Sequence, residues 1–138
     1  QVHGIDGAAR ILNRESGLLG LGGASDMRAL LAADTDAARF AVAHFCASVV
    51  RHAGAMIAAM GGLDAVVFTA GIGEKAAAVR TEILTSLAWA GVEFCSIANE
   101  QNDFLLNSGK SKIAVWIVRA QEEVQIAAEA LEVRGREA

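Results

Sequence analysis

The segment from Asp36 to Met60 constrains the fold most, because it has the periodicity of one long amphipathic helix. Its apolar residues recur at i, i+3, i+4 and i+7 spacing, and Gly61-Gly62 provides the usual stop signal of a helix C-terminus. At the standard rise per residue such a helix is about 36 Å long, so the rest of a small domain must pack around it. The predicted core stripe comprises Val42, Phe45, Cys46, Val49, Val50, Ala53, Met56, Ile57 and Met60.

The same apolar stretch has the length of a membrane span, but its charge pattern favours a different interpretation. His44, Arg51 and His52 interrupt it, and its periodicity leaves one side of the helix more polar. We therefore predict the core helix of a soluble protein, with no membrane partner.

Two short apolar runs predict the strands of a parallel sheet. Residues 64–68 read as a strand buried on both faces, and residues 112–118 form the second run. Helices are predicted from the turn after the first strand to about Ala90, and again from Glu122 onward. This order is typical of an α/β layer fold, and because two strands make a poor sheet, further strands are expected from outside the chain.

The remaining segments give weaker signals. Residues 5–13 predict a short helix, residues 16–24 a glycine-rich loop, and Ser25 is a candidate N-cap for a helix that ends near Ala33. A short strand is predicted over 92–95, whereas the pattern over 97–111 indicates no regular element.

Charge and cysteine content exclude several classes of protein. The formal net charge is −4 and no cluster of Lys or Arg stands out, so the basic face that a nucleic-acid partner requires is missing. Cys46 and Cys95 are isolated, which predicts buried thiols in a reducing compartment rather than a disulfide or a metal site. No signal peptide is visible, so a cytoplasmic protein is expected. The chain starts at Gln1 without an initiator Met, and we expect a fragment of a longer protein.

The glycine turn after the first predicted strand is the strongest local motif. Gly71 and Gly73 stand between that strand and the next helix, where glycines let a phosphate or ribose approach the backbone. A simple tight turn explains the spacing equally well. A second functional alternative is a dinucleotide-binding oxidoreductase domain, because Gly71-x-Gly73-x-x-Ala76 matches the relaxed fingerprint and Glu93 lies where a ribose-binding acid is expected. Against it, the motif follows a long, mostly helical region, and Glu74 disfavours a bound pyrophosphate.

Other polar residues are candidates for a site only in combination. Asp26 and Arg28 follow the glycine-rich segment on the first turn of a predicted helix, and Glu122-Glu123 follow the second strand, where α/β folds bind ligands and Mg²⁺. First-turn helix residues with no further role explain both sets. The three histidines, His3, His44 and His52, lack metal-ligand spacing.

Three blocks in this order and at this spacing resemble the acetate kinase family. The first runs from Ile11 to Leu21 and reads ILNRESGLLGL, and the second is SDMR at residues 25–28. The third and most specific, AAMGGLDAVVFTAGIGE, occupies residues 58–74. The resemblance extends from about residue 5 to residue 130 and identifies 1–138 as a C-terminal nucleotide-binding domain fragment.

The resemblance implies a fold, an activity and a set of site residues. The fold is the one that sugar kinases, heat-shock ATPases and actin share, here incomplete, helix-rich and with a small parallel sheet. The activity is transfer of the ATP γ-phosphoryl group to acetate or another short carboxylate, with Mg²⁺ or Mn²⁺ as cofactor and a homodimer as the assembly. The residues implied to contact the nucleotide are Asp26, Met27, Arg28, Gly71, Ile72, Gly73, Glu74 and Lys75, and Glu122 is implied to hold the metal.

The sequence departs from the family pattern at two places and lacks the other half of the site. Lys75 replaces an Asn, and Arg119-Ala120-Gln121 replaces Pro-Thr followed by Asn or Asp. The family's phosphate-binding turn, acetate pocket and catalytic Arg and Asp residues precede the region matched here. The isolated chain is therefore expected to be inactive, and a helical association module built on residues 36–60 is a third hypothesis.

Overall fold

The computed structural model describes residues 4–121, 124, 126, 127 and 129–131 of the 138-residue chain. Seven α-helices and two strands have defined bounds within those residues. In chain order they are α1 (Ile5–Arg10), α2 (Gly17–Gly22), α3 (Met27–Ala32), α4 (Asp36–Met60), β1 (Ala65–Phe68), α5 (Ala70–Lys75), α6 (Ala77–Ser86), α7 (Ser96–Gln101) and β2 (Ala114–Ile117), with a π-helical turn at Ile11–Glu15 and a 3₁₀ turn at Ala88–Ala90.

The long helix α4 has the predicted bounds because strong local signals fix both of its ends. Thr35 Oγ1 accepts a hydrogen bond from the Ala38 N–H at 3.2 Å, and Gly61 adopts the left-handed conformation with φ +73°. Among the described residues α4 is the one helix long and apolar enough to cross a membrane. It nevertheless packs against α2, α3 and α6, as predicted for a core helix. The predicted stripe is wrong at its end, since Met56 and Met60 are exposed.

The glycine-rich segment is a helix, and the prediction of a loop there is wrong. Gly17–Gly22 forms α2, which packs on α4. A Cβ on Gly22 would lie 2.5 Å from Leu30 Cδ2 and 2.8 Å from the Ala41 Cβ. Gly22 therefore allows α2 to approach α3 and α4 closely, and it does not form a turn. The following helix α3 also differs from prediction, because its N-cap is Asp26 and not Ser25.

The two strands pair in parallel, as predicted. The register aligns Ala65 with Ala114 and Phe68 with Ile117. The expectation that β1 is buried on both faces is wrong, because Val67 is 50% exposed. Successive side chains of a strand point to opposite faces, so the face that bears Val67 has less cover from the described residues than its opposite.

The region after the glycine turn is more broken than predicted. Instead of one helix to about Ala90, α5 ends at Lys75 and α6 restarts after Ala76, whose φ of −101° and ψ of 79° are not helical. The strand predicted over 92–95 is reduced to a single antiparallel bridge between Phe94 and Asn107. Helix α7 occupies part of the segment for which no element was predicted. The described positions among 124–131 are helical, as expected.

The main core lies between α4, α6 and the sheet. Cys46 of α4 is 1% exposed and belongs to this core, and its burial raises the pKa of its thiol to about 12. This outcome confirms the prediction for Cys46, whereas the thiol of Cys95 is only partly buried. The other buried members are Met27, Ile57, Ala76, Val79, Ile83, Leu84, Leu87, Val92, Leu106, Ile113, Val115 and Ile117.

Candidate functional site

Two segments that are far apart in the sequence meet around one cavity of about 490 Å³. The first is the start of α3, with Asp26, Met27 and Arg28. The second is α5, which contributes Gly71, Ile72 and Lys75. Ser25, Leu31 and Ala76 complete the lining. The cavity thus contains six of the eight residues proposed from the sequence.

The Asp26 carboxylate organises the first turn of α3 at the rim of this cavity. Its Oδ1 accepts the Arg28 N–H at 2.7 Å, and its Oδ2 accepts Arg28 Nη2 at 2.8 Å. Hydrogen bonding to the Arg28 side chain, together with its backbone N–H, lowers the pKa of Asp26 to about 2. The Arg28 side chain is 86% exposed. The guanidinium is therefore paired with the aspartate but accessible to a ligand at the rim of the cavity.

Met27 and Ile72 give the cavity its apolar surface. Met27 is 4% exposed and belongs to the main core, and Ile72 is partly buried against the same core. Their side chains are anchored from behind by that packing. An anchored apolar surface beside exposed polar groups is typical of sites that bind a flat ring and orient it by a few polar contacts.

The turn between β1 and α5 is tight, but its left-handed residue is Ala70 rather than a glycine. Ala70 has φ +58°, whereas Gly71 is not among the positive-φ residues. A Cβ on Gly71 would meet nothing within 4 Å, and one on Gly73 would lie 3.4 Å from the backbone carbon of Phe68. Gly71 thus leaves open space at the cavity, and Gly73 allows α5 to fold back closely on the end of β1.

Glu74 lines a second cavity, of about 540 Å³, which shares Gly71 and Lys75 with the first. Its Oε1 accepts the Ala120 N–H at 2.8 Å and so ties α5 to the segment after β2. Lys75 lines both cavities, and Gln121 lines the second one. Glu74 and Gly73 are therefore the two proposed nucleotide residues that do not line the first cavity.

The proposed metal ligand Glu122 lies outside the described residues. Among those that are described, no group of three or more His, Cys, Asp and Glu side chains is placed to hold a metal ion. The side chains of Glu74 and Gln121 line the second cavity. Gln121 directly precedes Glu122 in the sequence. Carboxylate and amide oxygens are the donors that hard divalent cations prefer.

Sequence reasoning missed a buried polar cluster directly behind the glycine turn. Arg80 is 0% exposed and Asn99 is 1% exposed. Arg80 Nη1 donates to the Gly73 carbonyl at 2.9 Å. A signal was available, because Arg80 lies three residues before Ile83 and seven before Leu87, a spacing that places the three side chains near one another on a helix.

Comparison with known proteins decides the family. The model of the acetokinase family matches residues 2–128 of this chain. The chain belongs to the acetokinase family. The resemblance of the three sequence blocks is thereby confirmed.

This acetokinase chain is similar to acetate kinases in both sequence and structure. It is 44% identical over 118 residues to the acetate kinase of Rhizobium meliloti, a match that covers 85% of this chain and 30% of that protein. The crystal structure of Porphyromonas gingivalis acetate kinase superposes with a TM-score of 0.84 at 31% identity, over 94% of this chain and 34% of the other. A propionate kinase from Francisella tularensis gives a TM-score of 0.82 at 32% identity, over 90% of this chain and 33% of the other.

These matches confirm the fold class and set the scale of the chain. The acetokinase chain has part of the fold that sugar kinases, heat-shock ATPases and actin share, helix-rich and with a small parallel sheet. It spans about a third of the length of the curated relatives it matches. The oxidoreductase alternative receives no support from these matches. Its fingerprint also fails structurally, since Gly71 and Gly73 lie inside α5 rather than in a loop before a helix.

Proposed function

We propose that this chain is the nucleotide-binding portion of a carboxylate kinase, which transfers the γ-phosphoryl group of ATP to acetate and yields acetyl phosphate and ADP. The observation that carries the proposal is the first cavity, where α3 and α5 of an acetokinase chain bring Asp26, Met27, Arg28, Gly71, Ile72 and Lys75 together. The acceptor is a short carboxylate, acetate or propionate.

The two sides of the cavity suit different parts of a nucleotide. Met27 and Ile72 offer apolar surface to the adenine ring, and the exposed Arg28 guanidinium can pack on that ring or bond to the ribose. Gly71 carries no side chain into the cavity, so the ligand can approach the backbone of α5. Asp26 positions Arg28 and caps α3.

Lys75 and Glu74 belong to the phosphate and metal side of the proposal. Lys75 lines both cavities, and a lysine in place of an asparagine adds a positive charge near bound phosphates. Glu74 and Gln121 line the second cavity with oxygen donors of the kind that fits Mg²⁺ or Mn²⁺, and Glu122, which directly follows Gln121 in the sequence, is the proposed metal ligand. When bound, such an ion neutralises charge on the transferring phosphoryl group. Glu74 also fixes the segment that leads to Glu122 through its bond to the Ala120 N–H.

The isolated chain is proposed to bind nucleotide without transferring phosphate. In-line phosphoryl transfer requires the acceptor and the γ-phosphate to be held together, with cations around the transferring oxygens. No described residue is assigned to the acceptor or to the transferring group. The longer enzyme is further proposed to be a cytoplasmic homodimer.

Calorimetric titration of the 138-residue chain tests the nucleotide site. MgADP and MgATP are expected to bind, and NAD⁺ and NADP⁺ are expected not to. If the chain binds NAD⁺ but does not bind MgADP, the kinase proposal is refuted and the oxidoreductase alternative is supported. A coupled ADP-release assay with acetate tests the second claim, and turnover well above a no-enzyme blank would show that the catalytic groups are present in this chain.

A further inference from the structure

The buried side chain of Arg80 forms a hydrogen-bonded bridge between the glycine turn and helix α7. On one side, its Nη1 donates to the Gly73 carbonyl at 2.9 Å. On the other side, its Nε donates to Asn99 Oδ1 at 2.7 Å, and its Nη2 donates to the Asn99 carbonyl at 2.6 Å and to Asn102 Oδ1 at 2.7 Å. One planar guanidinium thus holds acceptors from two elements in a fixed relation.

Every acceptor in this bridge is neutral. Within the part of the chain that the structure describes, no carboxylate pairs with Arg80, and burial lowers its pKa. A buried cation without a counter-ion is costly unless its hydrogen bonds are satisfied. An apolar side chain would fill this position at lower cost, so the core alone does not account for an arginine here.

The partners of Arg80 are themselves held in place. Asn99 Nδ2 donates to the Ala77 carbonyl at 3.0 Å and to Thr81 Oγ1 at 2.8 Å. Asn102 adopts a left-handed conformation with φ +55° directly after α7, which presents its side-chain oxygen to Arg80. Helix α7 and the first turn of α6 therefore form a rigid base for the guanidinium.

The turn that Arg80 contacts is short and irregular. Helix α5 has six residues, it starts from Ala70 in the left-handed region, and it breaks at Ala76. The Gly73 carbonyl lies between Ile72, which lines the first cavity, and Glu74, which lines the second. A displacement of Gly73 would move both lining residues.

We propose that Arg80 is a positioning residue that anchors the Gly73 carbonyl to Asn99 and Asn102, and thereby fixes the Gly71–Gly73 turn in the geometry that binds nucleotide. The inference rests on the proposed function. Arg80 does not touch the ligand. It acts through the geometry of its fork, because a lysine would keep the positive charge but could not bridge Gly73 and Asn99 at once.

Two variants and one control test this role in the 138-residue chain. Arg80→Lys keeps the charge and removes the fork. Asn102→Gly suits the left-handed backbone and removes one acceptor at a distance from the cavity. Thr81→Val is the matched control, because it removes a hydrogen bond to Asn99 and leaves all four bonds of Arg80 intact.

Hydrogen exchange and MgADP titration give two separate readouts. The Ala76 N–H donates to the Ile72 carbonyl at 3.0 Å, so its exchange rate reports the order of the turn. Arg80→Lys is expected to speed exchange at Ala76 and to raise the MgADP Kd about tenfold. Asn102→Gly is expected to do the same to a smaller extent, and Thr81→Val to do neither.

The outcomes separate this inference from the proposed function. Suppose that the parent chain binds MgADP and that both variants leave Ala76 exchange and MgADP affinity unchanged. This result would overturn the proposed role of Arg80 and leave the proposed function standing. A parent chain that does not bind MgADP would overturn the proposed function and this inference with it. If Arg80→Lys does not fold, Asn102→Gly decides. Faster exchange spread evenly over β1, β2 and α4 would show a general structural role and contradict the proposal.

Discussion

A side chain at position 71 separates the functional role of the glycine turn from its structural role. Gly71 does not have a positive φ, and a Cβ built there meets nothing within 4 Å. The change Gly71→Val therefore adds no clash at the Cβ and no strain from a positive φ. Glycine and valine also differ in helix propensity by less than about 0.5 kcal/mol, so the free energy of unfolding should stay within about 1 kcal/mol of the parent value.

Nucleotide binding should respond quite differently. The valine side chain would extend into the open space of the first cavity beside Ile72 and Lys75, where the ligand is proposed to approach the backbone. We expect the MgADP Kd to rise by about 100-fold or more, which corresponds to about 2.7 kcal/mol. Thermal unfolding and calorimetric titration of the same preparation measure the two effects.

The matched control is Gly54→Val, because Gly54 also has open space around its Cβ position but lies in α4, away from the cavity. It should leave the MgADP affinity unchanged. If Gly71→Val binds MgADP within about threefold of the parent (~0.7 kcal/mol), the turn does not receive the nucleotide and the proposed geometry of the site is wrong.

Three further predictions address the cavity rim and the packing of α2. Arg28→Ala should weaken MgADP binding by about 1–3 kcal/mol, as expected for loss of a charge-assisted contact, and unchanged affinity would remove Arg28 from the site. The pKa of Asp26 is lowered from 3.8 to about 2 in the folded state, so its stabilising contribution is present above pH 3.8 and is lost as the pH falls toward 2. As the pH is lowered through this range, the melting temperature of Asp26→Ala should fall less steeply than that of the parent. Parallel curves of melting temperature against pH would contradict the lowered pKa of Asp26. Gly22→Ala places a Cβ 2.5 Å from Leu30 Cδ2 and should lower the free energy of unfolding by about 1–3 kcal/mol, as measured by urea unfolding. An unchanged free energy of unfolding would show that α2 and α3 can separate freely.

The elements that sequence reasoning predicted well are those fixed by local signals. Helix α4 has its cap at Thr35, its stop at Gly61 and an apolar period between them, and all three features are encoded within the segment itself. The parallel pairing of β1 and β2 followed from two apolar runs separated by helical sequence. Each of these predictions needed no knowledge of what the element packs against.

The predictions that failed depended on contacts between distant residues. The segment from Gly17 to Gly22 resembles a loop in composition, and only the proximity of Leu30 and Ala41 shows why glycine is required in a helix there. The left-handed residue of the turn is an alanine, which local preference does not indicate. Arg80 has helical spacing from Ile83 and Leu87, but its acceptors Asn99 and Asn102 lie in a segment for which no element was predicted.

The meeting of α3 and α5 at one cavity follows from the lengths of α4 and the strand after it. Helix α3 packs near the start of α4, where Leu30 contacts Ala38 and Ala41. The chain then follows α4 to Met60, so α5 can reach the level of α3 only if the next segment runs back along the helix. Phe68, at the end of β1, lines a cleft together with Phe45 and Val49.

The distances are consistent with this return path. From Val49 to Met60 the helix rises about 16 Å, and the four residues of β1 together cover about 13 Å. One helical residue advances less than half as far as one strand residue, so a strand of only four residues with its flanking turn returns the chain to the middle of α4. The tight turn at Ala70 then directs α5 toward the start of α3. A longer β1, or a looser turn that did not fold α5 back on Phe68, would carry Gly71 and Ile72 past Met27 and leave the cavity without one of its walls.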